Sequence, residues 1–324
     1  MKAATVLAGV LAMSLATGTV ASAQDSYPSR TITVVVPFPP GGSSDTVTRA
    51  VSSKVAEVLK QPVVIENRGG GGGVVAAVAV KQAPPDGYTL LLANNGLFAV
   101  TPAITTDVRF DPVQDYQPVT PLVLFPSVLI VPAASPAKSV KELVEYGRSK
   151  PSGLSYASQG LGSGGQVMGE LLRLKTGLSM THVPYRGAGP AVQDVAAGNV
   201  DMLFTSYISA AGQIQAGTTR VIAFTGQQRS PILPDVPTTA EQGFAGIEMD
   251  VWHGIVAPKG TPAAIVKRLN QELVKAANAP DVVQMIKAQA AEVFVNSPEE
   301  FGKLIAADVD RLGKAVRDAG IKSQ

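Results

Sequence analysis

Side chains able to do covalent chemistry are few in this sequence, and they stand far apart. There is no cysteine, which excludes a disulfide framework, thiolate zinc sites, iron–sulfur clusters and a cysteine nucleophile. The two histidines, His182 and His253, are too distant in sequence to suggest a histidine-rich metal centre. Ser163 sits in Gly160-Leu161-Gly162-Ser163-Gly164-Gly165, but a hydrolase elbow needs Gly where Leu161 stands. Five glycines, Gly69–Gly73, invite a nucleotide reading. The dinucleotide fingerprint fails at its sixth place, Val74, and no Gly-Lys-Ser/Thr follows to make a phosphate loop. His182, beside Val183 at a strand end, reads as a packed or hydrogen-bonded structural residue. His253, within Asp250-Val251-Trp252-His253-Gly254, could line a cleft. Nothing nominates a carboxylate pair, and no cofactor or metal is implied.

Binding chemistry is better represented. Gly41-Gly42-Ser43-Ser44 and Gly160 to Gly165 each follow a strand pattern and open a helix pattern. Glycine lets backbone approach a ligand closely. The unpaired N–H groups of a helix start, with serine hydroxyls and the helix dipole, attract an anion. One such loop is also a common way to turn a chain; two in corresponding places are suited to clamp a small carboxylate between them.

The elements that must position these loops follow an alternating rhythm. Thr31–Val36 is a β-branched strand, broken by Pro37–Gly42. A helix then carries Val47, Val51, Val55 and Val58 at helical spacing. A strand at 63–65, a small-residue helix at 74–81 and a strand at 88–93 complete an α/β series. After Asn94-Asn95-Gly96 the chain is expected to loosen through 102–121. A long apolar extended run, 122–131, is interrupted by Pro126. A second β/α series occupies 139–224, opened by the capping box Ser139–Glu142. Further helices start at Thr261-Pro262 and Ser297-Pro298. The reading is α/β, two lobes joined by crossing strands.

Composition agrees. The chain has 324 residues, 45% apolar and 16% charged, with a formal charge of +2. That length suits two domains, and a near-neutral balance without a basic block argues against a nucleic-acid partner. Residues 1–23, with Lys2, an apolar run and Ala21-Ser22-Ala23, read as a cleaved export signal, which implies a periplasmic product.

At this point the sequence resembles the periplasmic solute receptors of tripartite tricarboxylate transporters, often called Bug-type receptors. The resemblance is carried by Pro37-Phe38-Pro39-Pro40-Gly41-Gly42-Ser43-Ser44-Asp45, Glu66-Asn67-Arg68-Gly69-Gly70 and Asp86-Gly87-Tyr88-Thr89-Leu90-Leu91. It continues through Tyr156-Ala157-Ser158, Gly169-Glu170-Leu171, His182-Val183-Pro184-Tyr185-Arg186-Gly187, Leu233 to Thr238, and Trp252 to Pro262.

The resemblance implies a two-lobed periplasmic-binding-protein (Venus-flytrap) fold with a cleft and no catalysis. Lobe I would comprise 24–124 plus 252–324 and lobe II 125–251, with hinge crossings near 122–131 and 247–257. The ligand carboxylate would meet Gly41, Gly42, Ser43 and Ser44 on one lobe and Ser158, Gln159, Gly162, Ser163 and Gly164 on the other. Phe38 would form an apolar wall, and Asp45 would touch ligand or cap its helix. Asn94, Asn95, Leu97 and Phe98, with Thr205, Ser206 and Tyr207, would set specificity. Many relatives carry a small or polar residue and a histidine where Leu97 and Phe98 stand, and Asp-Asn where Thr205 and Ser206 stand. These departures imply a more apolar cleft, suited to an aromatic or otherwise apolar carboxylate at least as well as to citrate. The partner would be a membrane permease and the receptor a monomer. The alternatives are an accessory protein presenting ligand to a sensor, and a secreted hydrolase using Ser163 or His253.

Overall fold

The computed structural model describes residues 27–321, apart from 39, 42, 106, 107, 161, 162, 227 and 319. The segment read as an export signal, together with Gly42 and Gly162, lies outside the described residues. Eleven strands are present among them: β1 Ile32–Val36, β2 Val63–Asn67, β3 Thr89–Asn94, β4 Tyr116–Phe125, β5 Ser127–Pro132, β6 Leu154–Ser158, β7 Met180–Pro184, β8 Met202–Ser206, β9 Thr219–Phe224, β10 Val251–Pro258 and β11 Glu292–Val293. Ten α-helices accompany them: α1 Ser43–Leu59, α2 Val74–Lys81, α3 Thr101–Ile104, α4 Val140–Ser149, α5 Gly164–Thr176, α6 Ala188–Ala196, α7 Tyr207–Gln215, α8 Ala263–Ala277, α9 Pro280–Ala288 and α10 Pro298–Asp318. No described helix is long and apolar enough to cross a membrane.

The strands form two sheets, ordered β11-β4-β10-β3-β1-β2 and β7-β6-β8-β5-β9. In the first, β1 runs parallel to β2 and β3, while β10 is antiparallel to β3 and β4. In the second, β6 runs parallel to β7 and β8, while β5 is antiparallel to β8 and β9. Each sheet is covered on both faces, so its strands read as continuous apolar runs. Ile32, Val34 and Val36 face α1, α8 and α9, whereas Val35, Leu91 and Val256 face α2 and α10. In the second sheet Leu129 and Phe204 face one apolar cluster, and Val128 and Leu203 the other. Each fully buried Val or Leu contributes roughly 1.5–3 kcal/mol.

The helix signals hold locally. Glu142 N–H donates to Ser139 Oγ and Glu300 N–H to Ser297 Oγ, at 3.1 and 3.2 Å. The glutamates reach back to the N–H groups of Lys138 and Ser297. Gly72 and Gly73 have φ of 66° and 95°, and a Cβ on Gly73 would press on Leu97 and Pro37 at 3.0 and 3.1 Å. The glycine run is a packed strand-to-helix turn.

Two expectations are corrected. The chain does not loosen after Gly96: a π-helical turn, Gly96–Val100, runs directly into α3. Pro102 falls in the first turn of that helix, where its missing N–H costs nothing. The extended run over 122–131 is interrupted at Pro126 as expected: it is two strands in different sheets, and Pro126, which lacks an N–H, is the single residue between them. The C-terminal residues do not all pack with the first sheet. Phe301 and Ile305 of α10 lie on it, but Leu312, Val316 and the following Ile321 pack into the second sheet's core, joined there by Ala99 and Val100. The amphipathic stripe of α10 is long enough to serve two cores.

Candidate functional site

The Gly/Ser loops emerge at the C-terminal ends of parallel strands, β1 and β6, where open α/β sheets place their ligands. Each leads into a helix start, α1 after β1 and α5 after β6.

The first loop is held by one buried acid. Asp45 is 3% exposed. Its Oδ2 accepts the Gly41 N–H at 3.0 Å and Arg49 Nε at 2.9 Å. Its Oδ1 accepts Asn67 Nδ2 at 2.9 Å, and the same amide nitrogen reaches the Phe38 carbonyl at 3.1 Å. Arg49 also donates to Asn67 Oδ1 at 2.8 Å, closing the ring. The Arg49 guanidinium beside Asp45 lowers its carboxyl to about 2, assisted by the Gly41 N–H and Asn67. Both oxygens are therefore committed to the loop, and the Gly41 N–H is committed to Asp45. The expectation that Gly41 offers its N–H to a ligand is corrected: Gly41 supplies the turn, with φ of 87°. Phe38 is half-buried against the core of the first sheet.

Ser44, in the first turn of α1, lies 3.4 Å from His253 Nε2 through its Oγ. His253 sits on β10 opposite Asn94 of β3 and packs its ring on Phe125 at 5.0 Å. Burial lowers its pKa to about 4, so the imidazole is neutral at ordinary pH. Its Nδ1 is buried without a partner, so no acid orients the ring as a hydrolytic triad requires.

The second loop is also held from below. Ser158 is fully buried. Its Oγ meets His182 Nε2 at 2.7 Å, the Gly160 carbonyl at 3.0 Å and the Gly160 N–H at 3.2 Å. His182 stacks on Tyr156 at 4.8 Å, and burial lowers its pKa. Gln159 donates to the Phe204 carbonyl at 2.8 Å and accepts the Gly165 N–H at 3.2 Å. Ser163 caps α5, its Oγ accepting the Gln166 N–H at 3.4 Å. Gly164 follows as the first residue of α5, so its N–H belongs to the open start of that helix. Ser158 and Gln159, expected to touch ligand, shape the loop through these bonds.

The residues expected to set specificity divide. Asn94 turns inward, its Oδ1 accepting the Leu97 N–H at 2.8 Å. Asn95 donates through Nδ2 to the Asp250 carbonyl at 2.7 Å, and its Oδ1 is buried without a partner. Thr205 Oγ1 is likewise buried and unpartnered. Ser206 pairs with Ser209, Oγ to Oγ, at 2.7 Å. Tyr207 lies against Val128 and Leu203 in the second sheet's core. Phe98 is corrected outright. It is fully buried, with ring centroids 6.0 Å from Phe110 and 5.1 Å from Tyr116, and Leu97 is buried beside it. An aromatic ring without polar atoms gains more from that pocket than from a wet cleft. Leu97 and Phe98 thus give no ground for an apolar cleft.

Sequence reasoning missed Arg49 and Asn67, which complete the first loop's ring, and Asp250, which receives Asn95. Asn67 lay inside a recognised motif but carried no signal of its destination.

The family described as "Tripartite tricarboxylate transporter family receptor" matches residues 47–321. The "UPF0065 protein in tcbD-tcbE intergenic region" of a Pseudomonas species is 40% identical over 312 residues, covering 96% of this chain and 93% of that protein. Protein BugT of Bordetella pertussis is 33% identical, with 98% of each chain covered. Among solved structures, an R. palustris protein with adipate superposes with a TM-score of 0.77 at 33% identity, covering 91% of this chain and 99% of that one. MatC from Rhodopseudomonas palustris with bound malate gives a TM-score of 0.73 at 33% identity, covering 90% and 100%.

Proposed function

The chain belongs to the tripartite tricarboxylate transporter receptor family, and on that premise we propose that it captures a small aliphatic carboxylate between its lobes and delivers it to a membrane permease. The family binds solutes without transforming them. The observation that carries the reading is the pair of Gly/Ser loops, one per sheet, each opening a helix at the end of a parallel strand. Helix starts of this kind attract a carboxylate through backbone N–H groups and the dipole, without a dedicated arginine. Arg49, the basic group bonded to the first loop's ring, is already spent on Asp45 and Asn67.

The ligand class is narrowed by two further points. Burial of Phe98 withdraws the argument for an aromatic ligand. Relatives of comparable identity carry adipate and malate in their structures. An aliphatic mono- or dicarboxylate therefore fits best, with Ser44, Ser163 and the Gly164 N–H as its donors. Export to the periplasm is supported by the pattern of residues 1–23. Lobe closure on ligand would present a new surface to the permease.

A thermal-shift screen of adipate, malate, citrate and benzoate, followed by calorimetry of the best, tests this. Stoichiometric binding of an aliphatic carboxylate, recovered unchanged, is the expected result. Stabilisation by benzoate alone, or by no carboxylate, would count against it.

A further inference from the structure

Asp250 stands where the crossings between the lobes meet. It immediately precedes β10, and its Oδ1 accepts the N–H of Ser127, the first residue of β5, at 3.3 Å. Its own carbonyl accepts Asn95 Nδ2 at 2.7 Å. One residue thus ties both crossings together and connects them to Asn95, next to the end of β3. The fit is close on the other side: a Cβ on Gly226 would lie 2.4 Å from Asp250 Oδ2.

The surroundings do little for a charge. Asp250 lines a cavity of about 510 Å³ whose walls include Pro126, Phe224 and Trp252. The charged groups lining that cavity are Glu292 of β11, Arg311 and Asp308 of α10, Glu248 of its own segment, and Arg229. Arg311 donates to Asp308 and to the Glu248 carbonyl, and Arg229 pairs with Glu241. Among the described residues no cation is ion-paired with Asp250. Among the described residues its carboxylate has one neutral donor, at long range, and it faces a second acid, Glu292. Burial pushes the carboxyl up to about 6; Glu292 adds to that push, while the Ser127 N–H and Arg311 oppose it.

We propose that Asp250 is a proton-operated switch in the hinge. Holding a proton, it favours the arrangement in which its side chain ties the two crossings together. Losing it, the half-buried residue favours an arrangement in which the two crossings separate and the carboxylate is more fully hydrated. The warrant is linkage: an arrangement that burdens the ionised form binds the proton more tightly, so taking up the proton draws the population toward that arrangement. A carboxyl raised by about two pH units couples to the lobe equilibrium by at most about 100-fold.

The single tryptophan, Trp252, lies two residues away and donates through Nε1 to Asp308 at 2.8 Å. Its fluorescence and the radius of gyration from small-angle scattering are recorded on the ligand-free protein between about pH 5 and pH 8. A one-proton step near pH 6 is expected in both signals. It should vanish in Asp250→Asn and move to lower pH in Glu292→Gln, which removes the repelling charge. No step, a fluorescence step without a change in radius, a step that survives Asp250→Asn, or an unmoved midpoint in Glu292→Gln would each overturn the switch. If Asp250→Asn does not fold, Glu292→Gln decides alone. No ligand is present in these measurements, so their outcome is independent of which solute the receptor carries.

Discussion

The Gly41 N–H donates to Asp45 Oδ2 at 3.0 Å, so the glycine that turns the first loop is fastened to an acid one helical turn away. A group that sequence alone would aim at the ligand is thereby the group that fixes the loop's shape. The carboxylate is the brace, and Arg49 and Asn67 keep it ionised and in place.

Asp45→Asn should destabilise the fold in a pH-dependent way. The folded carboxyl, at about 2, lies below its ordinary value of 3.8, so its contribution is fully present above pH 3.8 and is lost as pH falls through about 2. The shift corresponds to about 2 kcal/mol. Arg49 is half-exposed, so solvent screening leaves on the order of 1 kcal/mol. Urea unfolding of both proteins should give a gap at pH 7 that narrows at pH 3.

Ser163→Ala and Ser44→Ala should each weaken carboxylate binding while the protein stays folded. A hydrogen bond to a charged group is worth about 1.5–3 kcal/mol, or about tenfold or more in affinity. Ser163→Ala should also cost about 1 kcal/mol of stability through the lost cap on α5. Calorimetry that finds both affinities unchanged would remove these two hydroxyls from the site.

Gly165→Ala should damage the second loop from beneath. The added Cβ would lie 2.5 Å from Gln159 Oε1 and 2.6 Å from the Phe204 carbonyl, and the latter is backbone that cannot swing aside. A cost of about 1–3 kcal/mol is expected, with weakened ligand binding. Gly212→Ala, where a Cβ meets nothing within 4 Å, is the control and should leave the melting temperature equal or higher.

His253 should remain neutral well below its ordinary range. Burial lowers its pKa from 6.5 to about 4, so the folded state holds fewer protons than the unfolded chain across that window. Its contribution to stability is complete above pH 6.5 and is lost as pH falls toward 4. The protein has two histidines, so imidazole resonances can be followed individually. A midpoint near 6.5 for His253 would refute its burial.

Much of the fold was legible because its signals are local. The reciprocal caps at Ser139–Glu142 and Ser297–Glu300, the β-branched strand 32–36 and the Gly/Ser loops before α1 and α5 each rest on neighbours a few residues apart. The fate of the site residues was less legible because it depends on distant partners. Asp45 is claimed by Asn67, 22 positions on, and Asn95 by the carbonyl of Asp250, 155 positions on. Phe98 and Leu97 are cleft residues only by what the family resemblance implies. The π-helical turn carries both into the core against Tyr116, and no periodicity in the sequence announces that turn.

The strand order has a consequence in time as well as in space. All five strands of the second sheet, β5 to β9, are consecutive, whereas the first sheet needs β10 and β11 from beyond residue 250 to fill the positions beside β3 and β4. A chain emerging from its N-terminus therefore makes β1 to β4 first and must hold them unfinished until the whole second sheet has been synthesised. The second sheet in turn waits for Leu312 and Val316 to complete its own core. Both cores are therefore closed by α10, the first by its opening turns through Phe301 and Ile305 and the second by its last turns.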